Sequence, residues 1–445
     1  MLQSFVSLAQ ENPGAAALID GDTGAVTTRK ALLASAGELA ARLEESGVRA
    51  REAVAIQLPN SVEFVATFLA ALKLDLVVFP IDRDATESEA GSILSHFAIR
   101  ALVHRQGLSV RELTDRLITP AGTRMVKLTS GSTGRPKGIV TTEANLLADA
   151  ENIRRSMDIR PDDVNLGAIP FSHSYGFSNL VTQLLANGTA VVVSNDYLPQ
   201  SLIELANRYR CTVAPLIPMV FEHLIAAAQG RFETVRTFIS AGAPLTPSTS
   251  RRFRERFHHE VHSLYGCSEC GGITYDRRGG AVERGTVGSA LDGVTLATGT
   301  RRLSVKGASV AAGYLFDATT FQPFPDHTFV TDDLVELQEG ELLLVGRSSD
   351  LINTAGKKVN PREVEAVLLQ IEGVREAKVY GEPAGARGEV VAAAIVATPD
   401  VTRELVREFC RQRLSLHKVP RIVKLIDHMP LDERGKVKRA ALASL

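Results

Sequence analysis

The stretch KLTSGSTGRPKGIV, Lys127–Val140, sets four hydroxyl side chains and three glycines among basic residues within fourteen positions. Glycines in a turn expose backbone N–H groups, and serine and threonine hydroxyls beside a lysine add further donors, a combination suited to a cluster of phosphate oxygens. The expected ligand is a nucleotide triphosphate. A Walker A loop needs glycine directly before its lysine, whereas Pro136 precedes Lys137 and Gly138 follows it, so ordinary P-loop NTPase chemistry is disfavoured. Taken as a bare Gly/Ser-rich run, the segment also reads as a flexible surface loop.

Bulk properties leave the choice of partner to such local sites. A chain of 445 residues exceeds what one hydrophobic core usually organises, so two or more domains are expected. With 50 basic and 51 acidic residues the formal net charge is -1, which gives no reason to expect nucleic acid or an anionic membrane as partner. Cys211, Cys267, Cys270 and Cys410 are too few and too scattered for a disulfide scaffold, which favours a reducing compartment, the cytoplasm by default. The most apolar long window, VEFVATFLAALKLDLVVF, contains Glu63, Lys73 and Asp75, and the N-terminal MLQSFVSLAQENPG lacks a basic start followed by an apolar run. Neither a membrane span nor a signal peptide is expected.

Helical and strand patterns alternate through the first three hundred residues. RKALLASAGELAARLEESG repeats apolar residues at three-to-four spacing and AVAIQLP reads as a strand; SVEFVATFLAALKL and LVVFPI repeat the pair, and NLVTQLLANG, TAVVVS, LIELANRYR, TVAPLIP and VRTFISAG continue it. This predicts an α/β fold, layered around largely parallel strands. From about Thr295 short strands and turns form a β-rich portion, ending in GELLLVGRSSDLINTAG, a strand followed by a polar, small-residue segment. The boundary is placed near Ser349, giving a large domain over 1–348 and a small α+β domain over 349–445, the latter carrying a helix from Pro361, strands in AKVYGE and VVAAAIVA, and a helix in TRELVREFCRQRL.

Thr129–Gly138 matches throughout the phosphate loop T-S-G-S-T-G-x-P-K-G of the adenylate-forming superfamily, the acyl-CoA synthetases, aryl-acid ligases, luciferases and peptide-synthetase adenylation domains, and the chain resembles that family in order along its length. IPFSHSYG (Ile169–Gly176) resembles the substrate-side motif, SAGAPL (Ser240–Leu245) the adenine-side strand and turn, and YGCSE (Tyr265–Glu269) the Y-G-x-T-E motif. GTVGSALDGV and KGASVAAGYL resemble connecting segments, FVTDDL the aspartate motif, GRSSDLINTAGKKVNPREVE the hinge motif and PLDERGKVKR the C-terminal lysine motif. The chain is shorter than most relatives, with little sequence between Ala101–His104 and the phosphate loop.

The resemblance implies two steps: a carboxylate attacks the α-phosphorus of ATP and expels pyrophosphate, then a thiol displaces AMP. Two anions meet in the first step, so charge neutralisation and positioning should dominate. The family's roles fall on matching positions. Ser130, Gly131, Ser132, Thr133 and Gly134, with Thr129 and Lys137, would hold the phosphates; Gly242, Ala243, Pro244, Tyr265 and Gly266 would border the adenine, and Ser268, in place of threonine, would face the α-phosphate. Glu269 would hold Mg²⁺, a hard oxygen ligand for a hard cation. Asp333 would accept from the ribose hydroxyls beside Arg347, and Asp332 departs from the usual glycine. Lys436 would bridge carboxylate and α-phosphate as the catalytic lysine, and Gly356 would border the thiol arm after the small domain rotates about Ser349, where relatives have Asp or Lys. Lys358 replaces a common arginine, keeping charge without the fork.

His173 is expected to line or gate the carboxylate site. Amino-acid-activating relatives place an aspartate in this neighbourhood; Ser172, His173 and Ser174 supply no carboxylate for a substrate ammonium, so amino acids are disfavoured. Gly271 and Gly272 suggest space along one wall for an aromatic ring or an alkyl chain. Two other patterns are set aside: HHEVH is one residue short of H-E-x-x-H, and Cys267 with Cys270 has no second cysteine pair to complete a zinc site. The run RRFRERF reads as the charged face of a helix. The expected activity is an ATP-dependent carboxylic acid:CoA ligase for a fatty or aryl acid, with ATP, Mg²⁺ and coenzyme A as cofactors. Loading of a carrier-protein phosphopantetheine and a catalytically silent adenylate-binding regulator are the alternatives.

Overall fold

The computed structural model describes the chain apart from residues 114, 130–135, 300, 301, 355, 356, 384–388, 431–436, 438–440 and 443–445, and apart from the side chains of residues 349, 353, 357 and 358. Two compact units result, Met1–Leu296 with Val305–Phe329, and Ala297–Ser304 with Val330–Leu445.

The first unit is built on two large sheets. One runs in the spatial order Ser289–Ala290, Gly271–Tyr275, Val261–Cys267, Thr237–Ser240, Val213–Leu216, Val164–Gly167, Ala190–Val193, Ala16–Asp20, Val26–Thr28. Its central pairings are parallel and its outer ones antiparallel. Strands such as Val213–Leu216 and Thr237–Ser240 are buried along their whole length, as parallel strands covered on both faces must be. The other sheet runs Phe321–Pro323, Gly313–Leu315, Lys137–Thr142, Thr123–Thr129, Val77–Pro80, Ala53–Gln57, Ala101–His104, Gly107–Val110. The expected α/β architecture is therefore present.

A shared core fixes the segment that leads to His173. Helix Val62–Lys73 starts at Ser61, whose hydroxyl accepts from the Phe64 N–H, and it buries Phe64 and Phe68. Those rings meet Phe171 and Phe177 edge-on at 5.7 and 4.9 Å, contacts worth about 1 kcal/mol each beyond the area they bury. Asn60 adds polar clamps: its Nδ2 donates to the carbonyls of Gly167 and Ile169, and its Oδ1 accepts from the Phe171 N–H at 2.7 Å. His173 thus follows a backbone held on both sides.

In the second unit, Asp333–Gln338, the later part of strand Thr328–Gln338, pairs antiparallel with Glu341–Arg347. Helices Pro361–Leu368 and Arg403–Arg411 pack with the sheet Val374–Pro383, Glu389–Ala397, Ile422–Leu425 around Val364, Leu368, Val379, Ile395 and Val406. This is the expected small α+β body. Contacts carry it back to Val330, because antiparallel pairing joins Glu341–Arg347 to the strand before it. A hinge at Ser349 concerns motion and remains a proposal.

Candidate active site

Strands Thr123–Thr129 and Lys137–Thr142 form a hairpin whose mouth is the pair Thr129 and Lys137. The Thr129 hydroxyl lies 3.4 Å from the Lys137 carbonyl oxygen, so the two ends of the phosphate-loop motif are held together. Ser130, Gly131, Ser132, Thr133 and Gly134 lie outside the described residues.

Tyr314 joins this hairpin to Glu269. Its strand, Gly313–Leu315, is registered on Lys137–Thr142 with Tyr314 opposite Ile139. The Lys137 ammonium sits over the Tyr314 ring, 3.8 Å from its centre, an attraction between a cation and the negative ring face. The Tyr314 hydroxyl donates to Glu269 Oε1 at 2.8 Å. The Glu269 carbonyl accepts from Ala311 N–H, also at 2.8 Å, so the backbone of this residue is fixed from Ala311 and its carboxylate from Tyr314.

One residue earlier, Ser268 receives a hydrogen bond from Ser174 Oγ at 2.9 Å. His173, next to Ser174, places Nε2 3.4 Å from Asp82 Oδ2, an interaction that orients the ring. Lys137, Glu269, Ser268 and His173 are therefore joined by a continuous set of contacts through Tyr314 and Ser174. Neither Tyr314 nor Asp82 lies in a string that the sequence marks as a site; KGASVAAGYL resembles a connecting segment only.

The residues expected to border the adenine gather at the carboxyl ends of neighbouring parallel strands. Ser240 is registered with Ser263, so the turn at Gly242, Ala243 and Pro244 and the strand end at Tyr265 and Gly266 leave the same edge, where open α/β sheets bind ligands. Gly242 has φ +86°, a left-handed conformation that glycine adopts without strain. At Gly266 a Cβ would lie 2.4 Å from the Gly271 carbonyl oxygen, so the strand can double back only on glycine.

In the second unit, Asp333 and Arg347 face each other across the hairpin, with Arg347 Nε donating to Asp333 Oδ1 at 2.9 Å. Asp332 turns to Arg302, whose Nη2 is 2.9 Å away, so its charge is paired and its backbone is ordinary strand. Lys436 and Gly356 lie outside the described residues.

The space expected beside Gly271 and Gly272 is filled. A Cβ on Gly271, at φ +72°, would lie 2.2 Å from Asp149 Oδ1, and one on Gly272 would lie 2.8 Å from Leu291 Cδ2. These glycines admit close packing of Asp149 and Leu291. They do not open a wall. Cys267 and Cys270 are free thiols, and the neighbouring Cys270 thiol, followed by burial, holds the Cys267 thiol well above its ordinary range. No group of three or more His, Cys, Asp or Glu side chains suited to a metal occurs among the described residues. A cation held by one carboxylate and completed by phosphate oxygens, as Mg²⁺ commonly is, fits Glu269.

Known proteins resemble the chain along most of its length. A family model described as AMP-binding enzyme matches residues 5–127 and 114–315, and the model of the AMP-binding enzyme C-terminal domain matches 363–436. A sulfoacetate–CoA ligase of Cupriavidus necator is 28% identical over 96% of this chain and 94% of its own length. A 2-succinylbenzoate–CoA ligase of Bacillus licheniformis is 27% identical over 98% of both chains. ATP-bound MatB from Rhodopseudomonas palustris superposes with a TM-score of 0.85 at 25% identity, over 100% of this chain and 98% of that one. The chain belongs to the AMP-binding enzymes, the adenylate-forming superfamily that its ordered motifs resemble.

Proposed function

We propose that this chain is an ATP-dependent carboxylic acid:CoA ligase acting through an acyl-adenylate. The observation that supports the reading is the Lys137–Tyr314–Glu269 contact set at the mouth of the hairpin, which joins a cation to a carboxylate, the two kinds of group that a metal-bound triphosphate calls for. The names of the relatives support it: they are CoA ligases, although their acids range from sulfoacetate to long-chain fatty acids.

In the first step a carboxylate oxygen of the acid bonds to the α-phosphorus and the bond from that phosphorus to the pyrophosphate oxygen breaks. In the second, the thiol sulfur of CoA bonds to the acyl carbon, the bond to AMP breaks, and the thiol proton leaves to solvent or base. Thr129, Ser130, Gly131, Ser132, Thr133, Gly134 and Lys137 hold the phosphates, Gly242, Ala243, Pro244, Tyr265 and Gly266 border the adenine, and Ser268 faces the α-phosphate. Glu269 would hold Mg²⁺, which would supply neutralisation of the phosphate charge when bound. Asp333 and Arg347 hold the ribose, Lys436 steadies the two anions during adenylation, and Gly356 lines the thiol path after rotation about Ser349. His173, oriented by Asp82, lines the carboxylate site. The acid is a fatty or aryl acid, the acceptor free CoA, and the location cytoplasmic. The four cysteines are free, and no helix among the described residues is long and apolar enough to cross a membrane.

The test is carboxylate-dependent ATP–pyrophosphate exchange across aromatic, short, medium and long-chain acids, followed by product mass with free CoA and a carrier protein offered in parallel. Exchange with one class of acid and an acyl-CoA product is expected. Exchange with none of them would favour a silent adenylate-binding protein, and acylation of the carrier alone would move the acceptor to phosphopantetheine.

A further inference from the structure

Behind the Glu269 turn lies a buried pair of charged side chains to which the two-step chemistry gives no part. Lys127 and Asp149 are 8% and 3% exposed. Asp149, on helix Glu143–Ser156, spends each carboxylate oxygen on a different element: Oδ2 accepts from Ser178 Oγ at 2.6 Å, and Oδ1 accepts from the Gly272 N–H at 2.9 Å. Ser178 stands one helical turn beyond Ser174, in a π-helical segment, Phe177–Val181, a local geometry frequent at functional sites.

The same side of that helix is consequently fastened at both ends of one short turn. Ser174 reaches Ser268 directly, and Ser178 reaches Gly272 through Asp149, with Glu269 between the two fastenings. Gly271 accommodates the carboxylate by lacking a Cβ. Lys127, on the strand that enters the phosphate loop two residues later, is the nearby opposite charge that acts on the Asp149 carboxyl. Burial drives the Lys127 ammonium down and the Asp149 carboxyl up, and each is opposed by the charge of the other. Opposite charges buried near one another are a poor source of stability compared with apolar residues of the same volume, and their best-attested use is to fix one arrangement among several.

We propose that Asp149, backed by Lys127, is a positioning residue that holds the Ser268–Gly272 turn so that the Glu269 carboxylate meets the metal–triphosphate at a fixed place. The inference rests on the reading of Glu269 as the magnesium-bearing carboxylate. Outer groups that orient a metal-holding side chain typically change metal affinity by about 10–100-fold when removed.

The experiment measures ATP affinity by calorimetry as a function of Mg²⁺, and Mg²⁺ half-saturation in pyrophosphate exchange, for the wild-type chain and for Asp149→Ala, Asp149→Asn and Ser178→Ala. Asp149→Ala should raise the Mg²⁺ half-saturation by at least about tenfold while metal-free ATP affinity stays within about twofold. Asn keeps an acceptor for Gly272 and should recover most of the loss, and Ser178→Ala should shift in the same direction by about threefold. If Asp149→Ala proves unfolded, the Asn and Ser178 variants carry the test. Variants that melt earlier yet keep the wild-type Mg²⁺ dependence would overturn the positioning role and leave a structural one. A wild-type chain whose ATP binding ignores Mg²⁺ would instead remove the reading of Glu269 on which the inference stands.

Discussion

Tyr314 serves two functional groups with two parts of one side chain, its ring for Lys137 and its hydroxyl for Glu269. Phenylalanine keeps the first and deletes the second. A hydrogen bond to a charged acceptor is worth about 1.5–3 kcal/mol, so Tyr314→Phe should lower kcat/KM for MgATP in pyrophosphate exchange by roughly 10–100-fold. Tyr314→Leu, which also removes the cation's ring, should lose more; equal rates for Phe and wild type would leave the hydroxyl with no part in the site. The importance of Tyr314 was not legible in the chain because Glu269 is 45 residues away, and a lone tyrosine in a turn-rich segment carries no local pattern. Asp149 was hidden for the same reason, its Gly272 partner being 123 residues distant. Thr129, Lys137, His173, Ser268, Glu269, Asp333 and Arg347, by contrast, sit inside short strings that the resemblance identified.

At the level of the element, the strand Gly271–Tyr275 begins at a residue that combines a positive φ with a carboxylate against its missing side chain. Gly271→Ala should therefore cost roughly 1–3 kcal/mol of stability in denaturant unfolding, well beyond an ordinary surface substitution. The turn that carries the chain from Gly313–Leu315 to Phe321–Pro323 is closed by Asp317, which accepts from the N–H groups of Thr319 and Thr320, both at 2.8 Å. Those hydrogen bonds and the threonine hydroxyls lower its pKa to about 2. Because the folded value lies below the unfolded one, the stabilisation is present above the ordinary carboxylate range of about pH 4 and fades as the pH falls toward 2. The melting temperatures of wild type and Asp317→Asn should differ most near neutral pH and converge in acid. A gap that widened on acidification would contradict the assignment.

For the whole molecule, the proposed division of labour assigns adenylation to Lys436 and thiol transfer to the Gly356 segment. Lys436→Ala should depress carboxylate-dependent pyrophosphate exchange by at least about a hundredfold while leaving thiolation of supplied acyl-adenylate within a few-fold of wild type. Equal loss in both half-reactions would remove the lysine from that role. The domain boundary illustrates what a linear reading sees. A polar segment after Arg347 suggested a break near Ser349, whereas compactness gathers Val330–Arg347 and even Ala297–Ser304 with the later unit, since strand pairing does not respect chain order.

The class of fold and the family are legible in the chain alone. Alternating helical and strand periods follow from which side chains must leave water, and the phosphate loop needs glycines and hydroxyls in one fixed order. Long-range packing alone brings Gly271 and Gly272 against Asp149 and Leu291, balances Asp332 with Arg302, and links Lys137 to Glu269 through Tyr314. A glycine reads alike in sequence whether it opens a cavity or admits a neighbour, and a charge reads alike whether paired or not. The difference lies in which distant atoms the fold brings within about 3 Å, the reach of a hydrogen bond.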